Sequence, residues 1–156
     1  MPTLIVLRHA KADSPLGTPD FERPLAARGR RDARAVGDEL RAAGRVPDRV
    51  ICSPALRTRQ TLEELRIDAP VDFEERVYDN DAAAILDLLR AQHEEPGTLL
   101  LVGHNPSMHR LVLDLGSAAA ERFPTAATAV IEFDGDWSDL WPGIGRLTAY
   151  WTPRGH

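Results

Sequence analysis

The sequence predicts an α/β fold in which a sheet is layered by helices. Short apolar runs alternate along the chain with segments of helical periodicity, which is the pattern of strands covered by helices. One of these runs, residues 99–102, has four aliphatic residues in succession and is typical of a strand buried on both faces. The length of 156 residues fits a single domain, 1–156, with room for a sound hydrophobic core.

Six segments are predicted to form the strands of this sheet. Each is a short apolar run bounded by turn residues or polar residues: 3–7, 49–52, 71–73, 98–102, 128–133 and 146–151. The twelve prolines and eleven glycines are spread along the chain, so they separate the elements and form no low-complexity tract. Residues 117–125 are predicted to form a loop.

Four helices are predicted between the strands. The first has apolar residues at helical spacing from Ala33 to Ala43 and is expected to stop at Gly44. The second is expected to begin at Ser53-Pro54, where serine caps the helix and proline takes its first position, and to run to about Leu65.

The other two helices have similar start signals. Asn80 or Asp81 is expected to cap the third, which contains Ile85, Leu86 and Leu89. The fourth is expected to begin at Asn105-Pro106 and to end just before Gly116. One face of this helix is apolar, with Met108, Leu111, Val112 and Leu115.

Charge and composition exclude several classes of function. The formal net charge of −5 argues against a nucleic-acid partner, which favours a basic face. The apolar run 4–7 is followed at once by Arg8, so no signal peptide is predicted, and no run reaches the ~20 apolar residues of a membrane span. The single cysteine, Cys52, has no partner for an intrachain disulfide. We therefore expect a cytoplasmic protein in a reducing compartment.

Three of the predicted strands are followed at once by a pair of residues that contains a polar side chain. These pairs are Arg8-His9, Ser53-Pro54 and Gly103-His104. In open α/β sheets, ligands bind beyond the carboxyl ends of the strands. Two of these junctions are also predicted to open helices, whose N-terminal N–H groups favour anions. If the strands are parallel neighbours, four side chains converge at one edge of the sheet: Arg8, His9, Arg57 and His104.

These four side chains suit phosphoryl transfer, which needs a positioned nucleophile and positive charge around the phosphoryl oxygens. Each arginine can present a planar fork of donors to phosphate. A neutral His9 can attack phosphorus and carry the phosphoryl group, and His104 can donate a hydrogen bond to the same oxygens. The set predicts a phosphatase-type enzyme that works without a metal ion or a cofactor.

Three segments resemble the motifs of the histidine phosphatase superfamily: LRHA at 7–10, SPALRTRQT at 53–61 and VGHNP at 102–106. The short length and the segments RHAK at 8–11, RPL at 23–25 and RG at 28–29 are similar to the SixA-like subgroup of phosphohistidine phosphatases. Ala10 stands where the superfamily usually has glycine, a change that this subgroup tolerates.

The resemblance implies the phosphoglycerate-mutase-like fold, a single-domain three-layer sandwich with a mostly parallel mixed sheet flanked by helices. It implies that His9 is the nucleophile and that Arg8, Arg57 and His104 form the phosphate pocket. The implied reaction is hydrolysis of phosphohistidine on a protein through a covalent phosphohistidine intermediate. The sequence leaves two alternatives open, a small-molecule phosphomonoesterase of the same superfamily and a non-catalytic phosphate-binding regulatory module.

Further residues are expected around the phosphate. The segment ERVY at 75–78 resembles the one that supplies the proton donor in phosphoglycerate mutases, which makes Glu75 the expected general acid, with Glu74 and Asp79 as alternatives. Such an acid needs burial to raise its pKa. Lys11 and Arg23 are expected to line the mouth of the pocket and to contact the substrate. The alternative is that these are ordinary surface residues.

Other phosphatase classes fit the sequence poorly. A cysteine phosphatase needs one residue more than the four that separate Cys52 from Arg57. A magnesium phosphatase would use the triplet DND at 79–81, but that triplet follows no strong apolar strand and is typical of a helix cap. The remaining histidines have no ligand-like spacing, so no metal site is predicted: His93, His109 and His156.

Overall fold

A computed structural model of the chain describes residues 2–92, 96–116 and 121–153, and it contains all six predicted strands. Both ends of every strand lie within one residue of the predicted bounds. The bounds are β1 (Thr3–Arg8), β2 (Arg49–Cys52), β3 (Val71–Phe73), β4 (Thr98–Gly103), β5 (Thr128–Glu132) and β6 (Arg146–Trp151).

The described residues also form helices on both faces of the sheet. These are α1 (Ala27–Ala42), α2 (Leu56–Leu65), α3 (Glu75–Tyr78), α4 (Ala82–Arg90) and α5 (Ser107–Leu115). Two short 3₁₀ helices are added to them, Asp20–Glu22 and Trp137–Asp139. The sequence pattern predicts neither α3 nor the 3₁₀ helices, because elements of three or four residues are too short to show a hydrophobic period.

The strands form one sheet in the order β3-β2-β4-β1-β5-β6. The first four pair in parallel, β3 with β2, β2 with β4 and β4 with β1. β5 runs antiparallel to β1, and β6 runs antiparallel to β5. The mostly parallel mixed sheet is therefore confirmed. In the register of β1 and β4, Arg8 lies opposite Gly103, so these two strands end level with each other.

The central strands contribute to two separate hydrophobic cores, one on each face of the sheet. Leu99 and Leu101 of β4 pack with residues of α4 and α5, whereas Leu100 and Val102 pack with residues of α1 and α2. Because neighbouring side chains of a strand point to opposite faces, this division follows from the strand geometry. The predicted burial of β4 on both faces and the three-layer arrangement are confirmed.

Two of the predicted helix starts are wrong by one or two residues. α2 begins at Leu56 and α5 at Ser107. The residues at their N-cap positions, Ala55 and Pro106, provide no side-chain cap, although Oδ1 of Asn105 accepts the N–H of His109 in the first turn of α5 (3.3 Å). The hydroxyl of Ser53 instead accepts the N–H of Ala55 within a turn (3.3 Å) and contacts His104 (2.8 Å). The residue expected to cap α2 is therefore part of the strand-end turn that supports His104.

The other helix boundaries agree better with the sequence. Asp81 caps α4, since its Oδ1 accepts the N–H groups of Ala83 (3.0 Å) and Ala84 (3.5 Å). Gly44 follows α1 in the left-handed conformation (φ 69°) that favours glycine after a helix, so the predicted stop is confirmed. Part of the predicted loop at 117–125, residues 117–120, lies outside the described residues.

Helix α1 packs directly against the backbone that follows β1, and Gly29 makes this approach possible. A Cβ atom at position 29 would overlap the carbonyl oxygen of Lys11, which also accepts the N–H of Ala26 (2.9 Å). We expect Gly29→Ala to lower the free energy of unfolding by about 1–3 kcal/mol, the usual cost of overpacking. Denaturant unfolding measures this change, and a variant as stable as the wild type would contradict the close approach.

Candidate active site

The carboxyl ends of β1, β4 and β2 meet at one edge of the sheet, because these strands are parallel neighbours. Arg8 ends β1 and His9 follows it, while His104 follows β4. Arg57 lies in the first turn of α2, the helix that follows β2. The structure thus brings these four side chains, which come from distant parts of the sequence, to one pocket.

The pocket is a cavity of about 510 Å³ at this edge of the sheet. Its wall contains four cationic side chains and two carboxylates, so its formal charge is positive when the histidines are neutral. The lining residues are Arg8, His9, Lys11, Ala12, Asp20, Arg23, Arg57, Tyr78, Asp79, Asn80, His104, Asn105 and Thr125.

The ring of His9 is held in the tautomer that a nucleophile needs. Its Nδ1–H donates to the carbonyl oxygen of Ala10 (2.7 Å). A carbonyl can only accept a hydrogen bond, so Nε2 of the neutral ring carries the lone pair. Burial lowers the pKa of His9 to about 3, and the positive charges of Arg57 and Arg8 act in the same direction. His9 is therefore neutral at physiological pH.

His104 lies beside His9, with 5.2 Å between the ring centroids. Its Nε2 is 2.8 Å from the buried hydroxyl of Ser53. Burial, and then the charge of Arg57, lower the pKa of His104 to about 4. Both histidines are thus neutral at pH 7, so the positive charge of the pocket comes from its arginines and from Lys11.

Arg8 and Arg57 approach the pocket from different elements and are held by backbone carbonyl groups. Nη1 of Arg8 donates to the carbonyl oxygen of Phe123 (3.2 Å), and Nη1 of Arg57 donates to that of Asp20 (2.7 Å). Arg57 is 6% exposed. Burial lowers the pKa of Arg8, but a guanidinium group stays charged in proteins. Two fixed cations therefore face the space beside His9.

Some buried polar atoms of the pocket have no hydrogen-bond partner. Of four such side-chain atoms in the described part of the chain, three belong to the pocket: Nε of Arg8, Nε of Arg57 and Nδ1 of His104. Buried polar groups are normally paired, and leaving one unpaired costs about 1–3 kcal/mol. A phosphoryl group is rich in acceptor oxygens and would satisfy donors of this kind. The unpaired atoms therefore favour an anion as the occupant.

Gln60 and Thr61 tie α2 to the segment that follows β1. The Thr61 hydroxyl accepts the N–H of Ala10 (3.0 Å) and donates to the carbonyl oxygen of Arg57 (2.7 Å). Oε1 of Gln60 accepts the N–H of Leu25 (2.8 Å). These contacts hold the backbone of the His9 segment against the helix that carries Arg57. The place of both residues within the motif at 53–61 is a sequence signal for this anchoring role.

The structure does not bring the expected general acid to the pocket. Glu75 is exposed at the first residue of α3 and lies outside the lining residues. Glu74 also lies outside them and forms an ion pair with Arg76 (3.3 Å). The physical reason is that α3 reaches the pocket only with its C-terminal end, where Tyr78 and Asp79 contribute to the wall. Of the three expected acids, Asp79 lines the cavity, whereas Glu75 and Glu74 do not.

Lys11 and Arg23 both line the cavity. The side chain of Lys11 is exposed, whereas that of Arg23 is half-buried and donates from Nε to the carbonyl oxygen of Asp13 (3.0 Å). One exposed cation, Lys11, and one cation held by a hydrogen bond, Arg23, therefore line the pocket. Both cations can donate charge-assisted hydrogen bonds to an anionic substrate.

Two polar side chains of the pocket, Asp20 and Tyr78, are not predicted as site residues from the sequence. Asp20 lies in the first 3₁₀ helix, 37 residues from Arg57 along the chain, yet it contacts Arg57. The Tyr78 hydroxyl donates to Oδ2 of Asp20 (2.8 Å), and its ring meets that of His104 edge-on, with 5.7 Å between centroids. No motif in the sequence carries Asp20, and Tyr78 is visible only as part of the segment 75–78.

The described residues do not favour a metal site or a cysteine nucleophile. No group of three or more histidine, cysteine or carboxylate side chains within 2–92, 96–116 and 121–153 is placed to hold a metal ion, and His93 and His156 lie outside those ranges. Burial raises the pKa of the Cys52 thiol to about 12, which keeps it from the thiolate form that a cysteine nucleophile needs.

None of the helices in the described part of the chain is long and apolar enough to cross a membrane.

The buried neutral His9 has a consequence for stability. The unfolded chain protonates this residue below pH ~6.5, whereas the folded chain keeps it neutral down to about pH 3. Stability therefore falls as the pH drops between these values, by up to about 1.4 kcal/mol per pH unit from this group. We expect His9→Gln to show a shallower loss of unfolding free energy with acid than the wild type. Equal slopes in denaturant unfolding at several pH values would contradict a buried neutral His9.

Comparison with known proteins identifies the family. The family model of the histidine phosphatase superfamily (branch 1) matches residues 4–82, just over half of the chain. An uncharacterized protein of Mycobacterium tuberculosis, Rv1276c, is 38% identical over 158 residues, which cover 95% of this chain and 100% of that protein.

Two solved structures extend the likeness to the whole sheet. A candidate phosphohistidine phosphatase SixA from Nakamurella multipartitia is 32% identical, with a TM-score of 0.90 over 97% of this chain and 96% of that chain. A candidate SixA from Agrobacterium tumefaciens is 27% identical, with a TM-score of 0.83 over 97% and 99%. The chain therefore belongs to the histidine phosphatase superfamily, with the phosphoglycerate-mutase-like fold, and is a phosphatase.

Proposed function

We propose that this phosphatase hydrolyses phosphohistidine on proteins by two phosphoryl transfers through His9. In the first, Nε2 of His9 attacks phosphorus and forms a P–N bond, while the P–N bond to the substrate histidine breaks and the leaving imidazole takes a proton from solvent. In the second, water attacks the phosphoryl group on His9, which releases inorganic phosphate and restores the neutral ring. The observation that carries the proposal is the bond from His9 Nδ1–H to Ala10 inside a cationic pocket, because it leaves Nε2 as the attacking atom.

The remaining pocket residues have supporting roles in this proposal. Arg8 and Arg57 bind the phosphoryl oxygens and offset the charge that develops on them during transfer. His104, which is neutral and adjacent to His9, donates a hydrogen bond to the same group. Lys11 and Arg23 contact the substrate at the mouth of the cavity. Preorganised donors of this kind cost no rearrangement when the reaction occurs.

The choice of phosphohistidine as substrate rests on the chemistry of the leaving group. An alkyl phosphate ester needs a general acid to protonate its leaving oxygen, whereas imidazole can take its proton from solvent. Glu75 lies outside the pocket and is not placed to donate a proton, and hydrogen bonds hold the pKa of Asp20 at about 2, so Asp20 has no proton to donate at neutral pH. Asp79 lines the cavity but is exposed. Two structural relatives are named as candidate phosphohistidine phosphatases, which agrees with this choice. We place the reaction in the cytoplasm, as expected from the sequence.

The proposal is tested by comparing kcat/KM for two kinds of substrate without added metal. One is a small protein phosphorylated on histidine, and the others are a panel of alkyl phosphate esters. We expect the phosphohistidine protein to be the better substrate by a wide margin. A clear preference for one small ester, with phosphohistidine left intact, would instead support the small-molecule phosphomonoesterase.

Glu75→Gln provides the matching test of the general acid. Because Glu75 is exposed and outside the cavity, we expect this variant to keep wild-type rates on both kinds of substrate. A selective loss of ester hydrolysis in Glu75→Gln would restore Glu75 as the proton donor. It would also indicate that α3 moves toward the pocket when the substrate binds.

A further inference from the structure

Asp20 contacts three other side chains at the edge of the phosphate pocket. Its backbone carbonyl accepts from Nη1 of Arg57 (2.7 Å), and its Oδ2 accepts from Nη2 of Arg57 (3.0 Å). Oδ2 also accepts from the Tyr78 hydroxyl (2.8 Å), and Oδ1 accepts from Nη1 of Arg23 (3.3 Å). All four residues line the cavity.

The contacts with Arg57 fix the orientation of its guanidinium group. One residue engages both terminal nitrogens, so the planar group is prevented from rotating as well as from moving away. Two of its five N–H groups are used in this way, and Nε has no partner. The side chain of Arg57 is 7% exposed, whereas that of Asp20 is 54% exposed, so Asp20 holds the arginine from its solvent side.

A carboxylate inside a phosphatase pocket could also serve as a proton donor, but its surroundings argue against that role. Partial burial acts to raise the pKa of Asp20, yet hydrogen bonds from Tyr78 and Arg57 outweigh it and hold the pKa at about 2. The carboxyl group is therefore ionised at neutral pH. It can accept hydrogen bonds from Arg57, but it has no proton to give to a leaving group.

We propose that Asp20 is a positioning residue that aims the Arg57 guanidinium at the transferred phosphoryl group. The inference rests on the proposed function of this pocket and adds a residue that no motif identifies. It assigns a role to the first 3₁₀ helix, which supplies the backbone carbonyl as well as the carboxylate. The expected cost of losing this orientation is between about 10- and 100-fold in kcat/KM, the usual effect of misplacing a catalytic group by a fraction of its contact distance.

Inorganic phosphate binding, measured by calorimetry, separates positioning from a simple charge effect. If Asp20 only added negative charge, Asp20→Ala would bind phosphate more tightly than the wild type, because a repelling carboxylate is gone. If Asp20 aims Arg57, the same variant binds phosphate more weakly, and Asp20→Asn, which keeps an acceptor oxygen, recovers part of the loss. Tighter binding by Asp20→Ala would overturn the proposal.

A double-mutant cycle with Arg57→Ala tests whether the effect passes through that arginine. We expect Asp20→Ala to weaken phosphate binding in the wild-type background and to have no further effect in the Arg57→Ala background. Equal losses in both backgrounds would overturn the proposal. Glu22→Ala is the matched control, because Glu22 is exposed on the same 3₁₀ helix and lies outside the cavity. Thermal unfolding of each variant separates a folding defect from a loss of orientation.

Substrate dependence gives a further readout, which separates positioning from general acid catalysis. A positioning residue lowers kcat/KM by a similar factor for an aryl phosphate and for an alkyl phosphate, whereas a general acid matters more for the alkyl ester with its poorer leaving group. A larger loss for the alkyl ester in Asp20→Asn would overturn the positioning role. Absence of all phosphatase turnover in the wild type would instead refute the proposed function, so the two failures are distinguishable.

Discussion

Replacing His9 with alanine is expected to lower kcat on the order of 10⁴-fold or more, close to the uncatalysed background. The substitution removes the Nε2 atom to which the proposed mechanism transfers the phosphoryl group. The other histidine of the pocket, His104, has its Nε2 engaged with Ser53 (2.8 Å) and is poorly placed to replace it. Direct attack by water in the remaining cationic pocket supplies the residual rate.

The fold of His9→Ala is expected to survive, because the ring makes one hydrogen bond, to the neighbouring Ala10, and packs beside His104. Steady-state kinetics and thermal unfolding on the same preparation measure both effects. Free imidazole, which can enter the vacated space and accept a phosphoryl group, is expected to restore part of the turnover. A folded His9→Ala variant that keeps a substantial share of wild-type turnover would contradict a histidine nucleophile.

The second large effect is expected for Arg57→Ala, with a loss of about 10²–10³ in kcat/KM, the cost of removing one preorganised donor. Arg57 is nearly buried beside His9 and His104, where a charge acts more strongly than at the surface. Its removal also leaves the carboxylate of Asp20 without its strongest cationic contact. Arg57→Lys is expected to recover little, because a lysine lacks the planar fork of donors.

Arg59→Ala is the matched control for this prediction. Arg59 belongs to the same helix and the same motif, but it is exposed and donates from Nε to the carbonyl oxygen of Pro54 (2.8 Å). We expect its removal to change kcat/KM only slightly. If Arg59→Ala were nearly inactive and Arg57→Ala nearly normal, the pocket would have been assigned to the wrong arginine of the motif.

The sheet could be predicted almost completely from the sequence because its strands are short apolar runs with clear ends. The consecutive aliphatic residues of β4 predict burial on both faces, and the structure confirms it. Helix starts were harder, because Ser53-Pro54 looks like a cap but forms a turn that leads into the pocket. Asn105 does accept an N–H of the first turn of α5, from His109 (3.3 Å), but the helix begins at Ser107. At Ser53 the hydroxyl contacts His104 of the pocket and does not cap the helix, which the local sequence does not show.

The pocket could be predicted in part, because each of its motifs follows a strand and the strands are parallel. Arg8, His9, Arg57 and His104 meet for that reason. Asp20 could not be predicted, because its contact with Arg57 depends on how the segment between β1 and α1 folds back over the sheet edge.

Glu75 is the opposite case, a residue that the sequence predicts for the site and that the structure places outside the pocket. A local likeness in the segment 75–78 predicted a general acid, but α3 is a helix of one turn that carries Tyr78 and Asp79 to the pocket and leaves Glu75 in solvent. A motif of four residues identifies the segment that lies near the pocket. It does not show which end of the resulting helix faces the cavity.

The central claim is that the phosphoryl group passes through Nε2 of His9. Single-turnover reaction with a phosphohistidine protein, quenched in alkali and followed by ³¹P NMR and peptide mass spectrometry, tests it most directly. The account predicts a transient phosphoenzyme that is stable in alkali, labile in acid, located on His9 and bonded through Nε2, because Nδ1 is held by Ala10. Phosphate on Nδ1 or on another residue, or no phosphoenzyme while single-turnover hydrolysis is fast, would contradict the account.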